Sequence, residues 1–181
     1  QIYKHCKQLL AQSDVKNYLP KTKELHSVEK MRYNNGKIKL EIADIWENDR
    51  VIKKLKHYDI NGVLLEEGVV DEQGKYDGNI QWYYPDGKIH ISGYYKDTIP
   101  TGLWKEFYQD GNPMAEYSHQ NGEKEGIYKY FHTNGKLWTE RMYKNGQLWT
   151  AISNYSSTGL SLDPGSLKNG NGTVKVYDEN G

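Results

Sequence analysis

The chain has 181 residues, enough for one domain of ordinary size, and its 24 basic residues balance 24 acidic ones. A net charge of zero gives no overall pull toward nucleic acid or anionic lipid, and no apolar run reaches the roughly 18 residues that a membrane-spanning helix needs. The one cysteine, Cys6, excludes an internal disulfide and any multi-cysteine metal site.

The chain starts at Gln1 rather than Met, which fits a trimmed start or the loss of a signal peptide. The second reading makes the protein exported or periplasmic rather than cytoplasmic. Ile2, Cys6, Leu9 and Leu10 fall at helical spacing, so a short amphipathic helix is expected over 2–12, with Pro20 breaking the pattern further on. Residues 1–32 thus read as an N-terminal helical segment that caps the open end of whatever follows, since an uncovered strand edge recruits other chains. A helix that contacts a partner or a membrane is the sharper alternative.

Residues 33–77 read as degenerate β repeats. Tyr33-Asn34-Asn35-Gly36-Lys37-Ile38 and Tyr58-Asp59-Ile60-Asn61-Gly62-Val63 are each a turn leading into a strand, and Trp46-Glu47-Asn48-Asp49-Arg50 supplies the alternate turn. Extra residues relative to the later copies are placed in the turns, because an insertion inside a strand flips its faces or forces a bulge. The glycine- and acid-rich stretch from Gly68 to Gly78 is expected to be the most irregular part of the sheet.

Residues 78–149 are regular. Gly78, Gly102 and Gly126 open three copies of a short aromatic run closed by Asp86-Gly87, Asp110-Gly111 or Asn134-Gly135, all in steps of 24 residues. Asp-Gly and Asn-Gly favour tight type I′ turns, and Tyr/Phe-rich alternation favours strands. A second strand follows each turn and ends at Lys96-Asp97-Thr98, Gln120-Asn121-Gly122 or Lys144-Asn145-Gly146. One repeat is therefore two antiparallel strands and two turns. Glycines interrupt the run too often for a helical repeat. Residues 150–181 repeat the frame in degenerate form, with Asp163-Pro164-Gly165-Ser166 replacing part of a strand. They end in the turn Glu179-Asn180-Gly181, as if the natural chain continued. The fold class is mainly β: an antiparallel β-meander of stacked hairpin repeats, about 24 residues each, with a short N-terminal helix.

Alternation sorts the side chains. One face receives Ile80, Trp82 and Tyr84; Trp104, Glu106 and Tyr108; Tyr128, Tyr130 and His132. The other receives Gln81 and Tyr83, Lys105 and Phe107, and Lys129 and Phe131. Most of these rings are explained by ladders between like positions of adjacent repeats. A subset lining a surface for a partner is the functional reading, with Trp82, Tyr84, Trp104, Tyr108, Tyr128, Tyr130 and Trp138 as candidates.

Catalytic chemistry is not visible. No phosphate loop, dinucleotide fingerprint or nucleophile elbow is present, and the six histidines never pair at metal-ligand spacing. No cofactor or metal is expected. Glu116 and Glu140, one repeat apart, read as solvent-side residues rather than an acid–base pair. Lys105 and Lys129 beside Phe107 and Phe131 form a basic–aromatic strip of the kind that binds single strands, but the neutral charge argues against nucleic acid.

The best copy, Gly126-Ile127-Tyr128-Lys129-Tyr130-Phe131-His132-Thr133-Asn134-Gly135-Lys136-Leu137 followed by Tyr143-Lys144-Asn145-Gly146, resembles the MORN repeat (membrane occupation and recognition nexus), and its bacterial variant most of all. The resemblance covers about residues 33–181. It implies a noncatalytic scaffold that binds a protein partner. In antitoxin- or immunity-like relatives of this variant that partner is a toxin; others are exported proteins for which membrane or glycan contact is the alternative. Other MORN proteins have been associated with phospholipid membranes and with dimerisation. The oligomeric state of this chain is left open.

Overall fold

A computed structural model describes residues 24–47 and 50–178. The helix expected over 2–12 and the turn at 179–181 lie outside them. The described residues form one antiparallel sheet of twelve strands in which every strand pairs with its neighbours in sequence. In chain order they are β1 (Glu24–Arg32), β2 (Ile38–Glu47), β3 (Arg50–Tyr58), β4 (Leu64–Val70), β5 (Tyr76–Tyr83), β6 (Ile89–Lys96), β7 (Ile99–Phe107), β8 (Pro113–Gln120), β9 (Glu123–Phe131), β10 (Leu137–Lys144), β11 (Gln147–Tyr155) and β12 (Ser161–Leu162). Beyond β12 the chain makes one more small hairpin, bridged at Gly165–Val174 and Lys168–Asn171. There is no helix among the described residues.

One expectation is corrected. Among the described residues the sheet begins at Glu24, inside the segment read as a helical cap. Val28, Glu29, Lys30 and Met31 alternate well enough to pair with Ala43, Ile42, Glu41 and Leu40, but no turn signal precedes them to mark a strand. The stretch from Gly68 to Gly78 departs from the later repeats, as expected. The register shifts between Gly68 and Val70, and Asp71 to Lys75 makes a longer turn on the edge where the later repeats have two-residue turns, with the Asp71 carboxylate accepting from the Gln73 and Lys75 amides.

The turns at Asp86-Gly87, Asp110-Gly111 and Asn134-Gly135 differ from expectation in type. At Tyr84-Pro85-Asp86-Gly87-Lys88 the Gly87 amide donates to the Tyr84 carbonyl and the Tyr84 amide to the Lys88 carbonyl, while Gly87 takes positive φ and Asp86 does not. This is a type I turn with a glycine bulge, the other common short hairpin. Pro85 fits the first central position of this turn, because its ring holds φ near −65°, and the same hydrogen bonds recur without a proline at Gly111 and Gly135. The type I′ turns are at the opposite edge of the sheet. There both central residues have positive φ, at Asp97-Thr98, Asn121-Gly122, Asn145-Gly146 and Asn169-Gly170.

The core is thin. Val70, Ile80, Trp104, Ala115 and Tyr117 are the buried hydrophobic residues among those described. Ile80, Trp104, Ala115 and Tyr117 form one cluster on one face, flanked by Tyr76, Trp82, Ile91, Tyr95, Tyr128 and Tyr130. Glycine makes room for it: a Cβ on Gly93 would fall 2.3 Å from the Trp104 ring, and one on Gly68 would fall 2.5 Å from the end of Ile80. Stability in such a sheet comes from contacts between adjacent strands, as in other repeat architectures.

Candidate functional site

The side chains two and four residues after each opening glycine build the aromatic face. Trp82 stacks on Trp104 with centroids 6.0 Å apart, Trp104 meets Tyr95 edge-on at 5.3 Å, Tyr117 stacks on Tyr128 at 5.6 Å, and Tyr130 meets Trp138 at 5.7 Å. His132 continues the strip by stacking on Trp138 at 4.4 Å. Stacked and edge-on pairs of this kind contribute about 0.5–1.5 kcal/mol each beyond the area they bury.

Two carboxylates sit among the rings. Glu106 accepts from the Tyr117 hydroxyl at 2.6 Å, and Glu66 accepts from Tyr76. Burial first, and then the adjacent carboxylate, push the Tyr117 and Tyr76 phenols well above their ordinary range. Burial, with Glu106 nearby, raises Tyr128 to about 12. The Lys124 ammonium lies 4.5 Å from the centre of Tyr117, 4.9 Å from Tyr128 and 5.7 Å from Tyr143, so three rings hold one cation. His119 packs edge-on against Trp104 and Tyr117. Its burial, and then Lys124, lower its pKa.

The seven aromatic candidates share this face but not one environment. Trp104 is 5% exposed and is the centre of the core. Trp82, Tyr128, Tyr130 and Trp138 are half-buried, with part of each ring facing outward. Tyr84 and Tyr108 lie at the sheet edge, where each hooks one turn to the next: the Tyr84 hydroxyl donates to the Phe107 carbonyl at 2.8 Å and the Tyr108 hydroxyl to the Phe131 carbonyl at 2.6 Å. His132 repeats the link by contacting the Tyr155 carbonyl at 2.9 Å. Beside them Lys88, Asn112 and Lys136 donate to the carbonyls of Gln109, Thr133 and Thr158 in the following turns. A run of side-chain hydrogen bonds therefore ties the hairpin ends together at each repeat.

The opposite face holds an arrangement that the sequence reading missed. Strand pairing sets Lys30, Glu41, Lys56, Glu67, Gln81, Ser92, Lys105, Glu116, Lys129, Glu140 and Ser153 side by side in one row across eleven strands. Within it Lys30–Glu41 closes at 3.1 Å, Lys56–Glu67 at 3.8 Å, Lys105–Glu116 at 3.3 Å and Lys129–Glu140 at 4.0 Å. Glu116 and Glu140 are thus partners of Lys105 and Lys129. The signal was available: Lys105 and Glu116 lie at equal distances on either side of the turn at Asp110-Gly111. At the middle of the row an open trough of about 420 Å³ is lined by Asn79, Gln81, Ser92, Tyr94, Leu103 and Lys105.

Among the described residues no group of three His, Cys, Asp or Glu side chains is placed to hold a metal ion. Residues 76–97, 100–121 and 124–145 match the family described as the MORN repeat variant, so this part of the chain is three consecutive MORN-variant repeats. No curated protein matches the chain. Repeats of this family build binding scaffolds and are in general noncatalytic.

Proposed function

We propose that this chain is a noncatalytic protein–protein interaction scaffold that binds a protein partner on its aromatic face, in the manner of an antitoxin or immunity protein holding a toxin. One observation carries the reading. The half-exposed rings of Trp82, Tyr128, Tyr130 and Trp138 lie on a single-layer sheet whose strands pack on their sequence neighbours. Tyr and Trp are the residues that most often dominate binding energy at such surfaces. Because the rings are already braced against one another, little side-chain freedom is left to lose on binding.

Photocrosslinking from neighbouring positions tests this. A crosslinking residue at Tyr130 should capture the partner, whereas one at Lys129, on the other face, should not. Equal capture of one and the same foreign partner from both positions, or its capture from Lys129 alone, would remove the aromatic face from the account. The rings are also suited to stack on sugars or lie among lipid headgroups, which is the alternative of an exported envelope protein. Glycan-array and liposome binding that disappear in Trp82→Ala and Tyr130→Ala would support that second reading.

A further inference from the structure

We propose that the charged face is a self-association surface. A second copy of this chain packs on it face to face, after a half-turn about an axis that lies in the face, runs parallel to the strands and passes between β5 and β6. The charges along the row are ordered for such a contact. Counting outward from Gln81 and Ser92 in the middle of the row, one half reads Glu67, Lys56, Glu41, Lys30 and the other reads Lys105, Glu116, Lys129, Glu140. The two halves have opposite sign at every step. The half-turn lays one half over the other, so Glu67 faces Lys105 of the second copy, Lys56 faces Glu116, Glu41 faces Lys129 and Lys30 faces Glu140. Symmetry makes each contact twice.

Other arrangements are worse. A half-turn about an axis perpendicular to the strands sets Lys on Lys and Glu on Glu. Sliding one copy by one strand also brings like charges together, which costs affinity. Sliding by two strands restores opposite charges but keeps only half of the pairings.

The apolar residues beside the row obey the same rotation. Val28 is 38% exposed, Leu103 54%, Ile127 39% and Met142 38%. Alternation puts them on the charged face, two residues along from Lys30, Lys105, Lys129 and Glu140. The half-turn sets Val28 against Met142, Leu103 against Val69 and Ile127 against Ala43. The Tyr94 ring, 39% exposed, then enters the central trough opposite Asn79 of the other copy. From β1 to β10 the face spans about 43 Å across strands about 20 Å long, roughly 900 Å² per copy. The total lies within the range of specific interfaces. A regularly twisted sheet keeps its shape under this rotation, so the two faces can follow each other.

This surface is distinct from the aromatic face and stands without the partner reading. The test is sedimentation of the full chain in the micromolar range. The wild type should be a dimer at low salt that dissociates as salt rises, because the pairs lie at the surface. Lys105→Glu and Glu67→Lys should each weaken self-association about tenfold or more. Mixed in equal amounts, the two variants should recover the dimer, since Glu at 105 then meets Lys at 67 and the native pair forms at the other contact. Leu103→Glu, which breaks no ion pair within its own sheet, should also give monomer with unchanged circular dichroism, while Tyr130→Ala should leave the dimer intact. A monomeric wild type at low salt, wild-type association in all three charged-face variants, or a folded mixture that stays monomeric would overturn the proposal.

Discussion

Replacing Gly93 by Ala tests how tightly the single-sided core is built. A Cβ at this position would lie 2.3, 2.4 and 2.5 Å from Cδ2, Cε2 and Cε3 of Trp104. Ordinary carbon contacts are about 3.5–4 Å, so the indole has to move by more than about 1 Å. It has little freedom to do so, being 5% exposed and wedged between Trp82 and His119, with centroids 6.0 and 5.6 Å away, and Tyr95 at 5.3 Å. Overpacking of this kind costs about 1–3 kcal/mol. Gly93 is not among the glycines with positive φ, so Ala also stiffens the unfolded chain and returns about 0.4–1 kcal/mol. The expected net loss is about 1.5 kcal/mol, which for a chain of this size lowers Tm by about 3–6 °C. Urea unfolding and near-ultraviolet circular dichroism read the loss and the displaced indole together. In a Trp104→Leu background the clash is gone and Gly93→Ala should be close to neutral. Gly102→Ala, with no atom within 4 Å but φ at +67°, should cost about 1 kcal/mol through backbone strain alone and leave the near-ultraviolet spectrum unchanged. A Gly93→Ala protein as stable as wild type, or an effect undiminished in Trp104→Leu, would refute the reasoning.

Other outcomes follow from the same geometry. Tyr108→Phe removes the hydroxyl that reaches the Phe131 carbonyl and should cost about 1 kcal/mol in chemical unfolding, without altering the aromatic stack. Thr98 is a β-branched residue held at φ 68°, so Thr98→Gly should stabilise by about 1 kcal/mol and raise Tm by a few degrees. Burial raises the Tyr128 phenol to about 12 from an ordinary 10.0. The folded state therefore disfavours ionisation, and stability should fall as pH rises between those values, with the 295 nm tyrosine titration lagging until the sheet opens. His119 works in the other direction. Its pKa is depressed in the folded state and its Nδ1 is buried without a partner, so stability present above about pH 6.5 should decline as pH falls below it, and His119→Gln should flatten that slope.

Much of the fold could be read in the sequence because glycine and Asx residues mark turns locally. Gly87, Gly111 and Gly135 fix the ends of hairpins whatever the rest of the chain does, and alternation from Gly78, Gly102 and Gly126 sorts the side chains onto the faces on which they are found. What was missed depended on pairing across strands. Lys105 and Glu116 are 11 residues apart and meet only once the turn type sets the register. The choice between the two turn types was not legible, since the turn at Gly87, with Pro85 in it, recurs at Gly111 and Gly135 without a proline. β1 escaped notice because, with no turn signal in the sequence before it, only weak alternation marks it. The candidate site was partly legible for the same reason: repeat position identified the aromatic face. It could not separate Trp104, buried beneath its neighbours, from Tyr130 and Trp138, which keep an outward side, nor foresee that Tyr84 and Tyr108 spend their hydroxyls on the next turn.

The central claim is that the hairpins lie side by side in one open layer, leaving an aromatic face and a charged face both free to bind. Pulsed electron–electron distances between spin labels test it most directly, using Cys6→Ser chains labelled in pairs at Asn35, Asp86 and Asn134. Successive pairs of these turns are four strands apart, so Asn35–Asp86 and Asp86–Asn134 should each be about 19 Å and Asn35–Asn134 about 38 Å, somewhat shortened by twist. A distance from Asn35 to Asn134 no longer than the two shorter ones would mean that the sheet closes or folds back on itself, and would contradict the account.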